Sequence, residues 1–215
     1  MTGMIIDLIQ AAFACIGTKY ELEVAPFSGL MPAVTSGQND VIWSLIYYTP
    51  ERAKATDLVL YMKGLSGVAV PAGNPKHILG LKDLCGLRVA SQPGSLEILK
   101  ITAASDDCAK SGRPAIQILP ARDRTSGLLA LDAGQIDADT GPGYKQLWDS
   151  SKYKLAFTLE SDLEVGCAVN KQEKELSKAI YDAVLALRAD GTEAKLYAAY
   201  DIDPSLVMPV NVTDE

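Results

Sequence analysis

Along most of the chain, short apolar runs with strand character alternate with stretches whose apolar residues recur at helical spacing. Ile5, Leu8, Ile9, Ala12, Phe13 and Ile16 fall on one face and predict a helix over 5–16, stopped by Gly17. Tyr20, Leu22 and Val24 then alternate with Glu21 and Glu23, which predicts a strand. Pro26-Phe27-Ser28-Gly29 reads as a loop and 30–36 as a short helix ended by Gly37. Val41-Ile42-Trp43 opens the next strand, which continues into Ser44, Tyr47 and Tyr48. Thr49 is a suitable N-cap for a helix with Pro50 at its first position.

Residues 58–70 are mostly apolar but broken by Lys63, Gly64, Ser66 and Gly67. Two glycines in an extended run point to a bend or a close backbone approach, and this segment is expected to be a crossover. Strands are expected over 87–90 and 116–119, with helices over 95–109 (Ser95 as N-cap) and 125–133. A loop over 140–144 leads into a helix through Trp148. Strand-like runs follow over 154–157 and 164–169. Leu176, Ile180, Ala183, Val184 and Leu187 then mark one face of a helix over 173–190, ended by Gly191. A last helix runs from Thr192 through Tyr200, and the tail from Pro204 is expected to be irregular. Gly37-Gln38-Asn39-Asp40-Val41 is echoed by Gly134-Gln135-Ile136-Asp137-Ala138, each between a helix and a strand. The alternation predicts an α/β fold with parallel sheets, ligands at the carboxyl ends of strands, and two similarly built lobes.

Composition narrows the function. With 215 residues, 48% apolar and 22% charged, the profile is that of an ordinary soluble globule of one or two lobes. No window approaches eighteen apolar residues. A net charge of −7, with Arg122-Asp123-Arg124 as the only basic cluster, argues against nucleic acid. The four Cys form no Cys-x-x-Cys, and His77 is the single His, so a zinc site is not expected. The first seven residues lack the basic region of a signal peptide. The chain therefore starts inside a folded segment, is cytosolic, or follows a removed leader.

Arg52 is the main candidate for chemistry. A cation in the first turn of a helix opposes the helix dipole, and an anionic ligand would explain it there. The alternative is a surface Arg paired with Glu51 or Asp57. Trp43 and Trp148 are expected to pack in the core, and His77 to lie in a surface loop.

The chain resembles the family 3 bacterial solute-binding proteins, the amino-acid receptors of ABC importers. The resemblance rests on Pro26-Phe27-Ser28-Gly29-Leu30-Met31-Pro32-Ala33, Gly37-Gln38-Asn39-Asp40-Val41-Ile42 and Thr49-Pro50-Glu51-Arg52-Ala53. It continues with Leu84-Cys85-Gly86-Leu87-Arg88-Val89-Ala90, Gly94-Ser95, Gly134-Gln135-Ile136-Asp137-Ala138 and Ala189-Asp190-Gly191-Thr192, all in family order. Asn74-Pro75-Lys76 and Cys108-Ala109-Lys110-Ser111-Gly112 look closest to the actinobacterial branch.

The resemblance implies a two-lobed, periplasmic-binding-protein-like type II α/β fold. Each lobe would be a mainly parallel sheet flanked by helices, with two hinge crossovers. Lobe 1 would be 1–65 plus 165–215 and lobe 2 would be 66–164. It implies a monomeric extracytoplasmic receptor, periplasmic or anchored as a cell-surface lipoprotein, without cofactor or catalysis. That receptor would clamp an amino acid or related small carboxylate in the inter-lobe cleft and pass it to a membrane permease. The alternatives on the same fold are a ligand-sensing domain of a membrane receptor and a cyclohexadienyl-dehydratase-like enzyme.

By the same resemblance, Arg52 would grip the ligand carboxylate as a fork, Phe27 would pack on the ligand, and Ser44 and Tyr47 would bond it. Ser95 and Leu96 would meet the carboxylate through N–H groups at a helix N-terminus. The acid for an ammonium group falls at Pro142 by ungapped count, and only a gap brings Asp139 into that role. Leu45, Tyr47 and Leu96 stand where the family often has small hydroxyl residues, which implies a smaller, more apolar pocket. The leader and the family's usual first strand would be absent from this chain. A disulfide between Cys85 and Cys108 is implied too, worth roughly 3 kcal/mol for a loop of about 24 residues; two buried thiols are the alternative. Cys15 and Cys167 are expected to be small core residues.

Overall fold

The computed structural model describes residues 3–144 and 151–213. The helix expected through Trp148 lies outside the described residues. The chain forms two compact units. The first is Met1–Ala25, Gly29–Gly64 and Leu163–Glu215; the second is Pro26–Ser28 and Leu65–Asp162. The short segment carrying Phe27 thus groups with the second unit, although it lies within the expected lobe 1.

In the first unit, α1 (Met4–Ile16) ends as its pattern dictates, with Gly17 in the left-handed region at φ +78°. It buries Leu8, Ile9, Ala12 and Phe13 and packs on the long helix α6 (Lys174–Ala189), which buries Ile180, Ala183, Val184 and Leu187. α2 (Phe27–Thr35) starts earlier than expected, because Phe27 and Ser28 join its first turn. α3 is Pro50–Ala55, and α7 is Thr192–Ala199. Strand β1 (Val41–Tyr47) pairs antiparallel with β6 (Tyr153–Asn170), from Val41 opposite Val169 to Tyr47 opposite Val165. β2 (Thr56–Pro71) pairs antiparallel with β7 (Val207–Thr213).

The tail is therefore not irregular. It forms a 3₁₀ turn, Pro204–Leu206, and then β7, an added strand that accommodates Pro209 across a register shift. The expected strand at Tyr20, Leu22 and Val24 does not form: 18–26 carries no strand pairing, and those three apolar residues are exposed. Cys15 is exposed as well, off the buried face of α1, whereas Cys167 is fully buried.

The second unit holds the parallel pairing expected from alternating β and α. β3 (Arg88–Ser91) pairs parallel with β4 (Gln117–Pro120) and with β5 (Ala138–Pro142), and β5 pairs antiparallel with residues 66–69 of β2. Helices α4 (Leu96–Lys110) and α5 (Arg124–Asp132) flank them. Val68, Val70, Ile78, Leu84, Val89 and Ile101 form its core, with Cys108 bridged to Cys85 as expected.

The glycines of β2 are there for close approach. A Cβ on Gly64 would lie 2.1 Å from Val165, and one on Gly67 would lie 2.6 Å from Leu155. No described helix is long and apolar enough to cross a membrane.

Candidate functional site

The first set of candidate groups sits where β1 turns into α3. The Thr49 side chain accepts a hydrogen bond from the Arg52 N–H at 3.2 Å, which ties off one orphan donor of the short helix. The Thr56 hydroxyl donates to the Arg52 carbonyl at 3.0 Å. Arg52 is half-buried, and its Nη1 donates to the Tyr47 carbonyl at 2.9 Å. One end of the guanidinium is thereby fixed to the strand it follows. Asp57, weighed as a surface partner for Arg52, is fully buried and bonded instead by the Lys174 ammonium at 2.7 and 2.9 Å.

One feature of this junction is invisible in the sequence. Between Ile42 and Ile46 the register with β6 shifts, and Leu45 adopts φ +46°. A non-glycine residue in the left-handed region carries strain of order 1–3 kcal/mol and is commonly held at functional sites. The bulge re-aims the side chains around it: Ser44 is exposed, while Tyr47 is buried at 5%.

The second set sits in the other unit. Ser95 caps α4, accepting from the Ile98 N–H at 3.3 Å, and its own N–H donates to the Gln92 carbonyl at 3.1 Å. Leu96 is half-buried and follows at the first helical position. Gly94, at φ +82°, lets the chain pass close to the Phe27 segment: a Cβ there would lie 3.5 Å from the Ser28 Cα. Phe27, Ser95 and Leu96 are thus brought to one loop cluster.

Asp139 is not part of that cluster's surface. It is 2% exposed, and its carboxylate packs against α5, where a Cβ on Gly127 would lie 2.5 Å from Oδ2. Burial pushes its pKa up to about 7, against the Thr140 N–H and the Arg124 charge that favour the anion. Pro142, the other candidate position for an acid, carries none.

Asp137 of the echoed motif is a structural anchor. It is buried at 8% and receives the Arg88 N–H at 2.9 Å, Nε at 3.2 Å and Nη2 at 2.9 Å. Lys76 adds a contact at 3.4 Å. Burial raises its pKa, but the Arg88 bonds and the Lys76 charge outweigh that and bring it to about 2. Among the described residues, no group of three or more His, Cys, Asp or Glu could hold a metal ion.

The sequence pattern of the family described as "Bacterial extracellular solute-binding proteins, family 3" matches residues 1–202. An arginine-binding protein of Corynebacterium glutamicum is 24% identical over 184 residues, 77% of this chain, which spans only 60% of that relative's length. A histidine-binding periplasmic protein of Escherichia coli is 24% identical over 211 residues, covering 93% of this chain and 79% of the relative. Among solved structures, an ancestral arginine-binding protein bound to arginine superposes with a TM-score of 0.80 at 26% identity, over 93% of this chain and 88% of that one.

Proposed function

Because the chain belongs to the family 3 bacterial extracellular solute-binding proteins, we propose that it binds an amino acid or related small carboxylate outside the cytoplasm and delivers it to the permease of an ABC importer. The family and the relatives matched are binding proteins rather than enzymes. The observation that carries the reading is Arg52. Its guanidinium stands on a capped helix of only six residues, where Arg52 falls in the last turn as well as the first, so the helix dipole does not oppose it; its Nη1 is steadied by the Tyr47 carbonyl beside a strained bulge. An anionic ligand would meet that steadied guanidinium in a charge-assisted, forked contact. Ser44 and Tyr47 supply polar groups from the same strand. Phe27 supplies an apolar wall, Leu96 a helix N-terminal N–H donor and Ser95, whose own N–H is taken by the Gln92 carbonyl, its hydroxyl, toward the same class of ligand. Asp139, packed under α5, is the weakest member of the set.

A thermal-shift screen of amino acids and other small carboxylates tests this. Arg52→Ala should weaken binding of the active ligand by tenfold to a hundredfold, the loss of about 1.5–3 kcal/mol for hydrogen bonds to a charged group. Arg52→Lys should fall between, because it keeps the charge and loses the fork. Equal stabilisation of the native protein and Arg52→Ala by the same ligand would remove Arg52 from the site.

A further inference from the structure

Ser95 and Leu96 follow the carboxyl end of β3, and Pro142 ends β5. The amino ends of the same two strands carry a separate cavity of about 140 Å³, lined entirely from the second unit. Val70, Ile78, Leu131 and Ile136, all buried, form its apolar floor. Three charged residues line it as well. Arg88 opens β3, Asp137 immediately precedes β5, and Lys76 lies in the loop after β2. An apolar cavity of about 150 Å³ is enough to hold a benzene ring. The floor therefore has room for an apolar body of about that size.

The charged groups decide what that body can carry. Asp137 is buried and already accepts three N–H bonds from Arg88, so it offers little to a ligand ammonium. Two donors are left over. Arg88 spends Nε and Nη2 on Asp137, and its Nη1 makes no hydrogen bond among the described residues. The Lys76 ammonium meets Asp137 Oδ1 at 3.4 Å, beyond good hydrogen-bond distance, and makes no other polar contact among the described residues. Two cations against one acid leave a positive charge beside the apolar floor. The Lys76 and Arg88 side chains are 49% and 38% exposed, so the charge stands at the mouth and not in the floor. The loop that carries Lys76 is held in place. The Asn74 side chain donates to the Ile78 carbonyl at 2.7 Å and accepts from the Ile78 N–H at 2.9 Å. We propose that this cavity is a second ligand site, for a small monocarboxylate with an apolar body and no ammonium group. The body lies on the floor of Val70, Ile78, Leu131 and Ile136, and the carboxylate takes charge-assisted bonds from Lys76 and from Arg88 Nη1. An ammonium on the ligand is disfavoured, because it would face both cations while Asp137 is already spent.

The test uses the 215-residue chain and benzoate as the probe, with benzyl alcohol and benzylamine as its neutral and cationic counterparts. In amide NMR titrations benzoate should bind saturably, with a Kd of about 1 mM or tighter for a ligand of this size. It should shift amides between 70 and 78 and between 131 and 137. Benzyl alcohol and benzylamine should each bind roughly tenfold more weakly or worse, having lost the charge-assisted bonds. Lys76→Ala should weaken benzoate by roughly tenfold for the same reason. Ile136→Phe, which fills the floor, should abolish benzoate binding with the rest of the amide spectrum unchanged. Arg52→Ala should bind benzoate as the native chain does, which separates this cavity from the carboxylate site proposed above. No saturable binding below about 10 mM, equal binding of the three probes, an unchanged affinity in Lys76→Ala, or loss of benzoate in Arg52→Ala would each overturn the proposal. Should Ile136→Phe fail to fold, Lys76→Ala still decides, because it alters a half-exposed side chain.

Discussion

Gly37-Gln38-Asn39-Asp40 and Gly134-Gln135-Ile136-Asp137 stand at the same local position, where a helix ends and a strand begins. Their glycines behave alike. Gly37 has φ +76° and follows α2; Gly134 has φ +64° and follows α5. Their aspartates do not. Asp137 leads into β5, which has β2 on one side and β3 on the other, and its carboxylate is held by Arg88 and Lys76. Asp40 leads into β1, the end of its row among the described residues, and its side chain is exposed. Among the described residues its carbonyl alone is used, accepting from the Asn170 N–H at 3.0 Å, while the Asn170 side chain caps α2 at the Val34 carbonyl. The turn chemistry is local, and so it repeats. The carboxylate depends on how many strands surround it, and a central strand recruits what an edge strand leaves open.

The largest test of that contrast removes both carboxylates separately. Asp137→Ala should destabilise the protein by about 3 kcal/mol in urea unfolding. That is the low end for breaking a buried ion pair, because the Arg88 side chain is 38% exposed. Asp40→Ala should change stability by less than about 0.5 kcal/mol, as an exposed substitution does. Comparable losses would mean that the edge carboxylate is held as firmly as the central one, and would remove the contrast.

Much of this was legible from the chain alone, and what was not depended on distant partners. Helix ends were read from single residues: Gly17, Gly37 and Gly191 act within one turn. The alternation at Tyr20, Leu22 and Val24 correctly marks a strand-forming segment, but a strand exists only when another edge pairs with it. β7 was missed because its partner lies about 150 residues earlier, at Leu58 opposite Thr213, and because Pro209 argues against a strand. The role of Asp137 was hidden for the same reason, since Arg88 is 49 residues away. At the candidate site, the Arg52 position was readable from Thr49 and Pro50. The Leu45 bulge was not, because it arises from register with β6.

A second test uses acidity, since Asp137 and Asp139 lie two residues apart with opposite shifts. Asp137 has a lowered pKa, so its stabilisation is complete above about pH 4 and is lost as pH falls toward 2. Asp139 has a raised pKa, so the folded state is favoured while it is protonated, and that advantage is lost as pH rises from about 4 to about 7. Asp139→Asn should therefore be neutral at pH 4 and stabilising by about 1–2 kcal/mol at pH 8. The gain stays below the ceiling of about 4 kcal/mol set by 1.36 kcal/mol per pKa unit, because Arg124 loses its counter-charge. Urea midpoints across that range check the slope. A variant whose stability still falls between pH 4 and 7 would mean that another group carries the titration.

The smallest expected effect addresses what the two motifs share. Gly37→Ala and Gly134→Ala each place a Cβ on a left-handed backbone, which costs about 1 kcal/mol. Space does not separate them: a Cβ at Gly37 would sit 3.5 Å from Asn170 Nδ2, an ordinary contact, and one at Gly134 would have nothing within 4 Å. If turn chemistry is purely local, the two losses should agree within about 0.5 kcal/mol in parallel urea titrations. A clearly smaller loss at Gly37 would show that the edge turn relaxes when strained, because the end strand it feeds is held on one side only.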